Sequence, residues 1–264
     1  MKFRGAWWAW LVFFLGTTYF LVPLFATFLF SLSMERGVYS FKAYQIVFGD
    51  ARFQQTFTFS VVAAIFTIFL GILVVVPTAY WVRLRMPQLR PLIEFVTLLP
   101  LVIPVIVLVF GYIRMYGSNS FLPFLGYTWS TNVLLVIGYA TLALPYMYRS
   151  VDTGLRTIDV KTLTEAAQIM GAGWVTIIGR VILPNVLISV LSGAFLTFAI
   201  VLGEFTMASL LNRPAFGPYM QNIGANRAYE PAALAIIAFG LTWGCMMAIQ
   251  FLARYAPKAA NKPN

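Results

Sequence analysis

The sequence predicts an all-α, polytopic membrane fold with six transmembrane helices, and three observations carry that expectation. The chain is 61% hydrophobic and 10% charged, far from the roughly 25% charged residues of water-soluble domains. Six stretches without a charged residue recur along it, at 5–34, 53–82, 95–113, 115–148, 181–203 and 231–253. Each reaches the ~20 residues that a helix needs to cross about 30 Å of hydrocarbon. Lys and Arg are also shared unequally between alternate connections, twelve on the side that holds both termini, 83–90 and 149–180, and six on the other. By the positive-inside rule the richer side is cytoplasmic, so the N- and C-termini are expected there.

Span one, about 7–31, follows Lys2 and Arg4 and opens on Trp7, Trp8 and Trp10, amphipathic rings that settle at the headgroup level. Its apolar run is about twice the 7 to 15 residues of a signal peptide, so it is expected to stay as an anchor. The connection from Ser33 to Thr56 mixes Glu35, Arg36, Lys42, Asp50 and Arg52 with Tyr39, Phe41, Tyr44 and Phe48. That mixture suits contact with an external protein or a short segment lying on the membrane. Span two, about 57–82, contains Pro77 and ends at Trp81, ahead of Arg83, Arg85 and Arg90. Span three, about 93–114, holds Pro100 and Pro104. Each proline removes a backbone donor and crowds the preceding turn, so a bent helix is expected.

The fourth stretch opens on Gly117, Ser118, Asn119, Ser120, Pro123 and Gly126. Those are turn residues, so its helix is expected to begin near Thr131 and to span about 131–148. Span five, about 183–205, carries Ser189, Ser192, Gly193, Thr197 and Gly203, small residues that let another helix approach closely. Span six, about 231–253, is nearly uniformly apolar, and the tail with Pro257, Lys258, Lys262 and Pro263 is expected to be disordered.

Between spans four and five lies the best-organised connection, 159–183, just before Pro184. Thr162 precedes Glu165 by three residues, the spacing of a capping box, so a short helix is expected to start there. Val160, Leu163, Ala167 and Met170 would share one face of it. Gly171 and Gly173 are expected to supply left-handed positions that end it. Trp174, Ile177, Ile178, Val181 and Ile182 then match the i, i+3, i+4, i+7, i+8 template of a second amphipathic helix, until Pro184 interrupts the pattern.

Several function classes are excluded by what the residues lack. There is no histidine, and Cys245 is the only cysteine, so neither a catalytic constellation nor a metal site is expected. No Gly-Lys pair occurs, hence no phosphate-binding loop with which to hydrolyse ATP. The net charge of +10 is dispersed among helix ends instead of forming a patch, which argues against nucleic acid as a partner.

Glu165, Ala166, Ala167, Gly171, Val181, Leu183 and Pro184 stand in the order and spacing of the EAA motif, and the loop resembles the cytoplasmic loop of permease subunits of binding-protein-dependent ABC importers. The lead-in LALPYMYRSVDTGLRTID and the proline-bent third span resemble that family too, so the likeness covers roughly 55–255. It implies a single permease domain over 1–264 with a type I ABC importer permease-like core, in a bacterial or archaeal cell (inner) membrane. It also implies that Glu165, Ala166, Ala167, Gly171, Ala172, Gly173, Leu183 and Pro184 couple the chain to an ATPase. The implied partners are a second permease subunit, an ABC ATPase dimer, an external or periplasmic solute-binding protein and the lipid bilayer. ATP and Mg would be bound by the ATPase, with no cofactor in this chain.

The run VLGEFTMASLL at 201–211 is similar to spermidine/putrescine-type permeases, which makes a polyamine or other small amine the expected solute. Ferric iron, phosphonate, or an anion such as sulfate or molybdate is the alternative. In that family the corresponding helix contributes substrate contacts at Thr197, Val201 and Glu204, whose i, i+4, i+7 spacing places them on one helix face. Glu204 would turn its carboxylate to the path, or snorkel, or pair with Arg213 or Arg227. A secondary transporter or channel is the competing class, but it would carry ionisable groups in mid-span, and Glu204 stands only at the boundary of span five.

Overall fold

The computed structural model of the chain describes residues 6–117, 120 and 122–255. Lys2, Arg4, Ser118, Asn119, Pro257, Lys258, Lys262 and Pro263 lie outside them. In order, the α-helices are α1 (Ala6–Leu32), α2 (Lys42–Gly49), α3 (Ala51–Leu84), α4 (Arg90–Val102), α5 (Val105–Tyr116), α6 (Thr128–Arg156), α7 (Val160–Ile169), α8 (Trp174–Thr176), α9 (Leu183–Asn185), α10 (Leu187–Gly203), α11 (Thr206–Leu210), α12 (Phe216–Asn226) and α13 (Tyr229–Tyr255). A π-helical segment, Ile177–Ile182, joins α8 to α9. Among the described residues, four helices are long and apolar enough to cross a membrane, and the number rises to six if each of two bent pairs is one span.

Both bends have a local cause. Ile103, just before Pro104, is extended with ψ 119°, because the proline ring disfavours the helical region for its predecessor. The chain turns by 95° there, whereas Pro100 stays inside α4. The second bend, 82°, falls at Val186, where φ is −108° and ψ 11°. Pro184 therefore does not end the helical run as its position suggests. It occupies the first turn of α9, where an absent N–H costs little, and the break comes two residues later.

The chain divides into two compact units, Met1–Gln55 with Tyr219–Leu241 and Thr56–Pro218 with Thr242–Asn264. In the first, the Phe30 and Tyr229 rings stack at 4.8 Å, and Ser31 and Tyr44 share a hydrogen bond of 2.8 Å. Tyr219 donates to Asp50 at 2.8 Å. Burial opposes ionisation of Asp50, but the Tyr219 hydroxyl, the Arg52 N–H and the charges of Arg52 and Arg227 outweigh it and hold the carboxyl below its ordinary value.

In the second unit α6 and α10 lie against each other through small residues. A Cβ at Gly193 would stand 2.7 Å from Met147 Sδ, and one at Gly154 would stand 2.5 Å from Ser189 Oγ. Only glycine admits this approach. Two buried clusters fill the unit. One joins Val76, Tyr80, Met147, Leu155, Ile177 and Ile182, and the other joins Ala64, Val109, Leu135, Tyr139, Val201 and Met207.

Candidate functional site

The 159–183 segment folds as a helical hairpin fixed by three local devices. The first is the cap of α7. Asp159, not Thr162, is the N-cap, and its carboxylate accepts from the Thr162 backbone N–H at 3.2 Å and from the Thr162 hydroxyl at 2.7 Å. These bonds hold the Asp159 carboxyl below its ordinary pKa. The expected Thr162–Glu165 capping box is thus displaced by one turn: an aspartate three residues upstream is the stronger acceptor. Glu165 is left exposed, 3.9 Å from Lys161.

The second device is the turn. The Gly171 N–H bonds to Gln168 O at 2.9 Å and the Ala172 N–H to Ala167 O at 3.0 Å, the paired pattern of a Schellman motif. Gly171 sits at φ +79°, where a side chain is disfavoured. Gly173, by contrast, is extended at φ −78°. One glycine makes the left-handed turn, and the second does not.

The third device is the return helix. Ile177 and Ile182 are both fully buried, five residues apart, and that spacing brings them to the core face through the π segment. The 3.6-residue template finds the right apolar residues but the wrong helix type.

Two contacts anchor the hairpin to the unit. Tyr80 on α3 hydrogen-bonds Thr164 on α7 at 2.9 Å, and both are buried. Trp81 and Trp174 rings lie 4.7 Å apart, with the Arg85 guanidinium over them at 5.4 and 5.1 Å. Beside them Asp152 gathers Arg156 at 2.6 Å, Arg90 at 3.3 Å and Arg83 at 3.9 Å. The basic residues of this end are structural ties as well as signals of orientation.

Outward, the hairpin presents Ile169, Met170 and Val175, which are 88%, 80% and 87% exposed. Met170 therefore does not join the buried face of Val160 and Ala167 as its spacing suggests. It is the residue at which α7 ends, so its side chain leaves that face. Ala166, Gly171, Gly173 and Pro184 are also exposed, Ala172 and Leu183 half-buried and Ala167 buried. Ile169 and Val175 escaped the sequence reading because they fall outside both apolar stripes, although apolar residues off the core stripe are the available signal.

Thr197 and Val201 lie four residues apart on α10, and both are buried. The Thr197 hydroxyl donates to Gly193 O at 2.8 Å, and Thr197 lines a cavity of about 280 Å³ with Thr67, Gly71, Thr141 and Met147. Val201 is buried in the second cluster. Glu204 stands after the last residue of α10 with ψ 125°, out of helical register. Its carboxylate accepts from Met207 N at 2.8 Å and Ala208 N at 3.3 Å, and so caps α11. Neither Arg213 nor Arg227 pairs with it: Arg213 donates to Thr128 O and Asn132 Oδ1, and Arg227 pairs with Glu230 at 3.2 Å. Tyr139, 1% exposed, is an electrostatic neighbour of Glu204, and nothing in the sequence pattern marked it.

Residues 68–258 match the family of binding-protein-dependent transport system inner membrane components. The chain belongs to this family. It is therefore a multi-pass permease subunit of an ABC importer, not an enzyme, and it works with an ATPase that binds the ATP and with a solute-binding protein. The chain is 28% identical over 189 residues to the molybdenum transport system permease protein ModB of Escherichia coli, covering 66% of this chain and 81% of that protein. It is 36% identical over 78 residues to the spermidine/putrescine permease PotC of Haemophilus influenzae, covering 30% of each. In fold it is similar to a chain of the bacterial alginate ABC transporter crystallised with its alginate-bound periplasmic protein, with a TM-score of 0.70 at 13% identity over 96% of both chains.

Proposed function

We propose that this permease subunit serves an importer for a tetrahedral oxyanion of the molybdate kind. The carrying observation is the extent of similarity. The molybdenum permease of Escherichia coli aligns over 189 residues and 66% of this chain, and the spermidine/putrescine permease PotB of Haemophilus influenzae over 151 residues and 51%. The polyamine expectation rested on VLGEFTMASLL and on a Glu204 carboxylate facing the path. That carboxylate accepts from two backbone N–H groups of α11, which gives it a structural role that needs no cation. Uptake into proteoliposomes holding the whole complex, with labelled molybdate challenged by excess sulfate, tungstate or putrescine, tests the reading. Competition by tungstate and not by putrescine is expected; the reverse would restore the amine.

Coupling follows from the hairpin. Ile169, Met170 and Val175 form an apolar knob that would seat on the ATPase, with Glu165 beside it as a charged contact. A second permease subunit carrying the equivalent hairpin would complete the path, and closure of the ATPase dimer would draw the two hairpins together. The Schellman turn, the Tyr80–Thr164 bond and the Trp81–Arg85–Trp174 stack make the hairpin stiff enough to move α3 and α6 with it. The reading keeps the hairpin and both termini cytoplasmic, with six spans in which each bent pair counts once.

A further inference from the structure

Of the arginines at the hairpin end of the second unit, four are committed. Arg83, Arg90 and Arg156 meet the Asp152 carboxylate, and Arg85 lies over two indole rings. The Arg149 guanidinium has no carboxylate within ion-pair distance and no hydrogen-bond acceptor among the described residues. It opens instead on a groove of about 260 Å³ between α6 and α10, lined by Tyr146, Arg149, Ser150 and Thr153 from one helix and Ser189, Ser192 and Leu196 from the other.

Six of the seven lining residues carry a hydroxyl or a guanidinium, and Leu196 is the apolar one. Positions 146, 149, 150 and 153 follow i, i+3, i+4, i+7, and 189 and 192 follow i, i+3, so each set shares a helix face. Thr153 and Ser192 spend their protons on carbonyls of their own helices. The hydroxyls of Tyr146, Ser150 and Ser189 carry no hydrogen bond among the described residues, so three O–H donors and a guanidinium are available to a ligand. No carboxylate lines the groove. A polyamine would meet only like charge there, whereas a dianion with four acceptor oxygens would be held by charge-assisted hydrogen bonds. The glycine contacts of Gly154 and Gly193 fix the two walls against each other.

We propose that this groove is an oxyanion contact site on the translocation path, at the end of the spans that carries the ATPase-docking hairpin, with Arg149 as its charged centre. The ligand class rests on the oxyanion reading above. Arg149 holds the anion as it leaves the apolar cavity lined by Thr197, and release follows when α6 and α10 move with the hairpin.

The test uses the complete complex, purified without its solute-binding protein, and equilibrium binding of labelled molybdate with sulfate as competitor. Wild type should bind either oxyanion. Arg149→Gln should weaken binding by about ten- to a hundredfold, the range expected for losing one charged hydrogen-bonding partner. Arg149→Lys should recover part of it, and the pair Ser150→Ala, Ser189→Ala should weaken it severalfold. If wild type takes up molybdate in proteoliposomes while Arg149→Gln and the serine pair bind and transport it equally well, the groove is wrong and the oxyanion reading stands. If wild type takes up putrescine and no oxyanion, the reading itself falls and the groove with it.

Discussion

The Tyr80 hydroxyl donates to Thr164 Oγ1 at 2.9 Å, because the single Thr164 proton is already given to the Val160 carbonyl at 2.6 Å. A buried bond therefore ties the end of α3 to the helix that presents Glu165. Thr164→Val should leave the Tyr80 O–H without an acceptor and cost about 1–3 kcal/mol, more than Tyr80→Phe, which removes a donor from a hydroxyl that keeps its other bond. The double mutant should be less destabilised than the sum. Thermal unfolding of the purified complex measures the cycle. ATP hydrolysis should persist in both single variants while solute transported per ATP falls; unchanged coupling would reduce the bond to a packing detail.

Gly171→Pro should abolish transport and ATPase stimulation together. Proline cannot take φ +79° and has no N–H to give Gln168, so the hairpin loses both the turn and its bond. Membrane insertion, followed by the yield of membrane-extracted protein, should not change.

Gly193→Val should force α6 from α10, since the added Cβ would lie 3.2 Å from the Met147 Cα. Overpacking of this kind costs roughly 1–3 kcal/mol. A lowered melting temperature, with Gly179→Ala as an unhindered control, is the expected reading.

Glu204→Gln should leave solute uptake near wild type, because the amide oxygen still accepts from the α11 backbone. Glu204→Ala should lose the cap and destabilise the protein by about 0.5–2 kcal/mol. A transport loss in Glu204→Gln at unchanged stability would return this residue to the path.

In the first unit the acid limit depends on Asp50. Its pKa is lowered by folding, so its contribution is complete above the unfolded value near 3.9 and is lost as pH falls through the lower folded value. Tyr219→Phe removes one of the groups that lower it. The acid midpoint of the variant, followed by tryptophan fluorescence in detergent, should move to higher pH.

The helical, membrane-spanning class was legible because charge-free length is a direct reading of bilayer thickness. The EAA spacing identified the family for the same kind of reason, since Glu165, Gly171 and Pro184 fill fixed positions in one hairpin. What failed was local competition. Asp159 outbid Thr162 for the cap of α7, and the π segment brought Ile177 and Ile182 inward at a period the template does not contain. Glu204 is the residue after α10, and its carboxylate caps α11, a local bond that helix spacing does not reveal. The polyamine expectation came from a single eleven-residue run, whereas the longer similarity, to a molybdenum permease over 66% of the chain, supports the proposed oxyanion. The Arg149 groove was invisible in the sequence because its walls come from helices about forty residues apart and depend on Gly154 and Gly193 meeting the opposite helix.

The central claim is that the exposed knob of the hairpin is the seat for the ATPase. A photo-crosslinking residue at Met170, with the same residue at the exposed Val38 as control, tests it in membranes containing the assembled complex. The account predicts that Met170 captures the ATPase subunit, with a yield that changes when nucleotide is added, and that Val38 does not. Capture of the ATPase from Val38, or none from Met170 in a complex that hydrolyses ATP, would contradict it.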